Sequence, residues 1–451
     1  MSILRLSTIL AVLLPSFWTA ATAQSSSTLL LARSHSLPPP NAGAPLTAWA
    51  ASLAAQSAAD VTRVAMLAAV VPAKAKPHSK GRSFVPIAPG RQILSIPNYV
   101  ARARLGTPPQ TLLVAIDPSN DAAWIPCSAC VGCAPKSSPS FAPTDSPTYR
   151  PVRCGSPQCA QVPGSASCPG GLGASCAFNL SYGSSTFQAV LGQDALALEG
   201  GAVVSSYTFG CLRVVTGGSV PPQGLLGFGR GPLSFLSQTK DTYGSVFSYC
   251  LPSYKSSNFS GTLRLGPAGQ PRRIKTTPLL YNRHRPTLYY VDMVGIRVGG
   301  RAVAVPASAL ASFDPATGTG GTIVDAGTMF TRLSLPVYAA VRDAFRRKVR
   351  APVSAPLGGF DTCYNVTGGV RVPSVTFAFA GGAGATVTLP EENVMIHSSS
   401  GGVACLAMSA GPSAGVNAGL NVVASMQQQN HRVLFDVANG RVGFSRELCT
   451  A

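Results

Sequence analysis

Apolar and polar side chains alternate from Tyr99 to Leu105, and Gly106-Thr107-Pro108-Pro109 then turns the chain. The alternation predicts a half-buried strand closed by a turn. An unbroken apolar run follows, Leu113-Val114-Ala115-Ile116, which predicts a strand buried on both faces. It delivers one carboxylate, Asp117, into the polar turn Pro118-Ser119-Asn120. The plan recurs far downstream, where Thr322-Ile323-Val324 leads to Asp325 and then to Ala326-Gly327-Thr328. Each half later carries a second short apolar segment, Gly224-Leu225-Leu226-Gly227 in the first and Asn421-Val422-Val423-Ala424 in the second. The matching order predicts a duplicated fold that brings two carboxylates together.

Two stretches depart from the strand pattern. Val337, Val341, Phe345 and Val349 fall on one face after Pro336, which predicts a helix whose other face, with Arg342, Arg346, Arg347 and Arg350, is solvated. Nearer the N-terminus, Leu46, Trp49, Leu53, Val61, Val64 and Leu67 recur at helical spacing in an Ala-rich run. Residues 24–90 are read as a propeptide made of that helix and a basic, Pro-containing, cleavable linker from Lys74 to Arg91. Residues 91–270 are read as an N-terminal β lobe with a Cys-rich insertion at 127–176, and 271–451 as a C-terminal β lobe.

Composition agrees with a turn-rich β protein: 451 residues, 46% apolar and 11% charged, with 46 Gly and 38 Pro. Lys and Arg number 35 against 16 Asp and Glu, a net charge of +19. The basic residues are scattered and form no nucleic-acid-binding motif, so no nucleic acid is expected. An acidic polysaccharide matrix or an acidic working medium would suit that charge. Residues 1–23 read as a signal peptide, with Arg5, an apolar core from Ile9 to Leu14 and the small-x-small site Ala21-Thr22-Ala23. That run is too short to span a bilayer, and no membrane span is expected elsewhere. The expectation is a secreted protein.

The 12 cysteines all lie between Cys127 and Cys449. Cys127, Cys130 and Cys133, with Cys154 and Cys159 further on, have metal-like spacing. An oxidising route and the lack of any His in the cluster favour up to six disulfides and no metal. Sequons at Asn179, Asn258 and Asn365 are candidate glycosylation sites.

Two carboxylates held close together cannot both ionise and share one proton. The ionised member can take a proton from a bound water while the protonated member hydrogen-bonds a substrate carbonyl. No cofactor is needed. The chain has only five His residues and no His-Glu-x-x-His. Gly411-Pro412-Ser413-Ala414-Gly415 fits a serine nucleophile turn, but no helical pattern follows it. A glycosidase could also use two carboxylates, yet nothing else points to a sugar cleft.

With these residues in view, the chain resembles the pepsin-like aspartic endopeptidases, and within them the plant nepenthesin-type branch with its Cys-rich insertion. The resemblance runs from about Tyr99 to Phe444. Asp117 and Asp325 match the family's catalytic aspartates, and Trp124 matches the Trp that follows the first motif. Ser181-Tyr182-Gly183-Ser184 is similar to the flap tip that closes over substrate, and Leu191-Gly192-Gln193-Asp194 to the strand returning from it. The resemblance implies a mostly β, bilobal fold with one Asp from each lobe facing a cleft, an inhibitory propeptide, and protein or peptide substrates.

The loops depart from the family where it places a hydroxyl after each Asp. Pro118 and Ala326 stand there instead. In the family those hydroxyls cross the lobe junction to the opposite loop. Ser119, Asn120, Gly327 and Thr328 keep groups that can donate to the carboxylates. The expectation is an intact dyad on altered bracing, with reduced activity or a shifted pH dependence. The alternative is a pepsin-fold binding protein resembling the inhibitors of microbial glycanases, with weak or no catalysis.

Overall fold

A computed structural model describes residues 46–66, 82–133, 138–164, 166–171, 173–381 and 384–450. The signal-peptide reading lies outside these residues. So does most of the basic linker, and with it the side chains of Leu46 and Leu67.

The duplication is visible in strand order. In the first half the order is Tyr99–Leu105, Gln110–Asp117, Leu225–Gly227, Trp124–Val131 and Val203–Thr216. In the second it is Tyr290–Val291, Thr322–Val324, Asn421–Val423, Thr331–Leu333 and Met408–Ala410. The pairings follow one sequence in both: antiparallel, parallel, antiparallel, parallel. The apolar run before each Asp is therefore a central strand, which explains why it does not alternate.

A further set of strands mixes the halves. Lys275–Pro278, Arg441–Arg446, His431–Asp436, Val246–Cys250, Gly261–Leu265 and Ser83–Pro89 pair in that order. Beneath them Phe247 stacks on Phe435 at 4.7 Å, and Tyr289 packs edge-on against Phe435 at 4.5 Å. One apolar core runs from Val85 to Phe444 and is continuous across both halves.

Ser83–Pro89 corrects the linker reading. These residues form a strand between Gly261–Leu265 and Tyr99–Leu105, with Val85 and Ile87 buried. The strand includes Pro86 and Pro89, and a Pro is tolerated in a strand where its missing N–H faces no partner. The linker reading keeps only the residues before the strand.

The helix expected after Pro336 spans Leu335–Arg346, with Val337, Val341 and Phe345 fully buried. Arg342 and Arg346 face outward and pair with Asp361. All 12 cysteines form six disulfides: 127–211, 130–133, 154–168, 159–176, 250–449 and 363–405. The sulfurs of Cys154, Cys159 and Cys168 lie close enough to hold a metal, but each is in a disulfide and offers no thiolate. The insertion packs Val152, Cys154, Cys159, Val162 and Cys176 against Trp124, Phe178 and Phe187, so it props the base of the Ala177–Leu198 hairpin.

Candidate active site

Asp117 ends its strand opposite Gly227, whose neighbour Phe228 donates its N–H to the Asp117 carbonyl at 2.7 Å. A Cβ at Gly227 would sit 2.4 Å from the Asn120 carbonyl oxygen, so only Gly lets the turn close. In the second half the Asp325 N–H donates to the Val423 carbonyl at 3.1 Å, and Ala424 takes the place of Gly227. Its methyl is fully buried and packs with Ile323 and Val422. The two loops touch directly: a Cβ on Gly327 would lie 2.6 Å from Asp117 Oδ1. Both carboxylates are buried, at 0% and 1% exposure.

Each carboxylate sits in a shell of donors. Asp117 Oδ1 accepts from the Ser119 N–H and the Ser119 hydroxyl, both at 2.9 Å, and Oδ2 accepts from Asn120 Nδ2 at 2.8 Å. Asp325 Oδ1 accepts from the Gly327 N–H at 2.9 Å. Its Oδ2 accepts from the Thr328 N–H at 3.0 Å and the Thr328 hydroxyl at 2.7 Å. Ser119 keeps a negative φ, so it carries its hydroxyl without backbone strain.

A cation also sits on the pair. Arg63, from the Leu46–Met66 helix, donates from Nη2 to Asp117 Oδ1 at 2.7 Å and to the Ser119 hydroxyl at 2.5 Å. Its Nε reaches Asp325 Oδ2 at 3.3 Å and the Thr328 hydroxyl at 3.2 Å. A single planar guanidinium thus bridges both carboxylates. Burial alone would raise the Asp117 pKa, but the Arg63 charge and the hydrogen bonds from Arg63 and Ser119 outweigh it and hold the carboxyl below its ordinary range.

The sequence reading of the N-terminal helix found Trp49, Leu53 and Val64, all buried. Trp49 and Leu53 pack on Met329, Phe330 and Phe360, and Val64 on Leu288, Ile323 and Leu420. It misplaced Val61, which is exposed, and missed the polar residues of the buried face. Ser57 accepts from Arg332 at its carbonyl and hydroxyl, at 2.6 and 2.9 Å. Asp60 accepts from the backbone N–H groups of Met329 and Phe330 at 3.0 and 2.8 Å. Burial pushes the Asp60 pKa up to about 6, against the lowering pull of Arg332 and those two N–H bonds. The spacing 53, 57, 60, 64 was available as a signal, because polar residues on an apolar stripe need buried partners.

The hairpin tip at Tyr182 to Ser185 closes with a two-residue turn, in which Gly183 takes φ +57°. Tyr182 packs edge-on against Trp124 at 5.1 Å. Its hydroxyl donates to Asp117 Oδ2 at 3.1 Å and accepts from Asn98 Nδ2 at 3.1 Å. The Ser184 N–H donates to the Ser219 hydroxyl at 3.1 Å, which ties the tip to the next loop.

Bracing of the loops differs from what a hydroxyl after each Asp would give. The Ala326 N–H, in a residue 3% exposed, has no acceptor among the described residues. A separate contact, unseen in the sequence, joins the halves: buried Asp121 accepts from the Gly231 N–H at 2.6 Å and from the Thr287 hydroxyl.

Comparison with known proteins gives the family. Residues 99–267 match the family described as xylanase inhibitor N-terminal, and residues 288–446 match xylanase inhibitor C-terminal. "Aspartyl protease 25" of Oryza sativa subsp. japonica is 48% identical over 393 residues, covering 83% of this chain and 86% of the relative. "Aspartyl protease AED3" of Arabidopsis thaliana is 45% identical, covering 87% and 85%. "Aspartic proteinase nepenthesin-2" of Nepenthes gracilis is 34% identical, covering 78% of each chain. Among solved structures, that titled "Crystal structure of edgp" aligns with a TM-score of 0.66 at 22% identity, over 83% of this chain and 97% of that one. The soybean basic 7S globulin aligns at 0.62 and 23%, over 82% and 96%. The chain belongs to the plant aspartyl protease family of the nepenthesin type, built on the mostly β, bilobal pepsin-like fold.

Proposed function

We propose that the chain is the zymogen of a secreted aspartic endopeptidase working at acid pH, with Asp117 and Asp325 as its catalytic pair. The observation that carries this reading is the bridge made by Arg63. Two buried carboxylates this close can both stay ionised only beside a cation. While Arg63 is present its guanidinium occupies both carboxylates, so water and a scissile carbonyl cannot reach the pair and it is inert. Once the Leu46–Met66 helix leaves, the pair must share one proton and titrates as a unit. The ionised member then takes a proton from water, the protonated member hydrogen-bonds the scissile carbonyl, and the proton passes on to the leaving nitrogen. Ser119, Asn120, Gly327 and Thr328 hold the carboxylates in place. Tyr182, Gly183 and Ser184 form the flap, with Trp124 behind it, and would close over a peptide and exclude water.

Six disulfides support an oxidising destination, the apoplast or cell wall, or the vacuole. Asn179, Asn258 and Asn365 are all exposed, as glycosylation requires. Among the described residues no helix is long and apolar enough to cross a membrane. We read the protein as a monomer acting on protein or peptide substrates, with acidic wall polymers as counter-ions for its net charge of +19. The unmet Ala326 N–H favours the second reading, a glycanase-inhibitor-like binding protein with weak catalysis.

The test is cleavage of an unfolded protein at acid pH after the helix has been removed. The protease reading expects cleavage that a pepstatin-type inhibitor stops and that Asp325→Asn lacks. Equal inertness of wild type and variant would leave only the binding reading.

A further inference from the structure

Four arginines are buried among the described residues: Arg63, Arg285, Arg332 and Arg432. Arg63 sits on the aspartate pair, and Arg432 pairs with Glu447. Arg332 lies in the field of Asp60. Arg285, 3% exposed, is different. Its Nη1 donates to Asn417 Oδ1 at 2.5 Å and its Nη2 to the Val416 carbonyl at 2.9 Å, both neutral acceptors. No carboxylate oxygen of a described residue lies within 4.0 Å of it.

A guanidinium has five N–H donors, and a buried charge is costly unless an opposite charge meets it. Arg285 lines the cleft beside the aspartates, with Thr287 and Leu288 on its own side and Leu180 to Gly183 of the flap across from it. The carboxylate that shares this cleft wall, Asp121, is already held by Gly231 and Thr287. Arg285 is also held in place by acceptors of the C-terminal half, the Asn417 side chain and the Val416 carbonyl. The cleft therefore holds a rigid cation whose counter-charge the described chain does not supply.

We propose that Arg285 is a specificity-determining residue that recruits a peptide carboxylate into the cleft over Leu288. The inference rests on the protease reading for its substrate class. The carboxylate can come from a Glu or Asp side chain or from the C-terminus of a short peptide. A charge-assisted, two-pronged contact of this kind selects for carboxylate over amide by about tenfold or more.

The experiment uses helix-free protein at pH 5, where a peptide Glu of ordinary pKa about 4.3 is ionised. A C-terminally amidated peptide series carries Glu or Gln at each position around the cleaved bond, and a second series carries a free C-terminus. The expected result is a roughly tenfold higher kcat/KM for Glu at one position, or for the free terminus. Arg285→Gln should lower the Glu peptide's kcat/KM about tenfold more than that of its Gln twin, and Arg285→Lys should restore part of the difference. Binding of the same peptides to Asp117→Asn by calorimetry decides the matter without turnover. If the Gln peptide is cut but no position prefers Glu and no free terminus is preferred, the inference fails and the protease reading stands. If nothing is cut yet the Glu or free-terminus peptide binds tighter in an Arg285-dependent way, the inference stands and the protease reading fails.

Discussion

Arg63 Nη2 lies 2.7 Å from Asp117 Oδ1, and through Nε the same guanidinium reaches Asp325 at 3.3 Å. The arginine side chain is 9% exposed and the two aspartates nearly not at all. Breaking a buried ion pair by removing one partner costs about 3–5 kcal/mol, because a buried charge is left behind. Much of the grip of the N-terminal helix on the cleft therefore resides in this one side chain.

Arg63→Gln should loosen the helix by that order, about 3–5 kcal/mol. With Arg63 present, the Asp117 pKa is depressed in the docked state. Its contribution to docking is present above the ordinary carboxylate pKa and is lost as pH falls through the depressed value. Wild type should therefore release the helix only in acid, and Arg63→Gln, whose docking is weaker, should release it at a higher pH than wild type. Release followed by gel at a series of pH values checks this; identical profiles would contradict it.

Asp60 acts in the opposite sense. Its pKa is raised to about 6 while the helix is docked, so the docked state binds more protons between about 6 and the ordinary value of 3.8. Its contribution is fully present below the ordinary value and is lost as pH rises through about 6. The melting temperature of the full chain relative to Asp60→Asn should rise as pH falls from 7 to 4. A constant difference across that range would refute the assignment.

The unmet Ala326 N–H leaves a penalty of about 1–3 kcal/mol that an acceptor could recover. Pro118→Thr supplies a hydroxyl on the facing loop. It should raise stability by about 1 kcal/mol in denaturant titration. Together with Ala326→Ser it should raise turnover of the mature protein. No change in either quantity would mean that the loops are already adequately braced.

Maturation should cut before Ser83. Val85 and Ile87, at 0% and 1% exposure, anchor a strand between two neighbours, and a cut after residue 90 would remove it from the sheet. N-terminal sequencing of the self-processed chain locates the cut. A mature chain beginning beyond Pro89 would contradict the strand's structural role.

The fold was legible because duplication writes itself twice. Leu113–Ile116 and Thr322–Val324 are central strands whose apolar runs have no other reading, and both turns that follow carry an Asp. The donors around each Asp were equally visible, since they are local in sequence. What escaped was long-range and polar. Arg63, Asp60 and Ser57 sit on a helix face that hydrophobic spacing marks only by its gaps, and their partners lie over 50 to over 270 residues away. Asp121 and Thr287 meet across the halves for the same reason. Ser83–Pro89 lies within a basic, Pro-containing stretch, and only the burial of Val85 and Ile87 marks it as a strand.

The central claim, that Asp117 works with Asp325 once Arg63 is gone, has one direct measurement. Residues 24–451 are expressed, the helix is removed from wild type and Asp117→Asn by an added protease, and cleavage of a denatured protein at acid pH is followed for both. Wild type is expected to cut at a rate at least a hundredfold above the variant, on the order of what removing one acid–base partner costs. Equal rates would contradict the account.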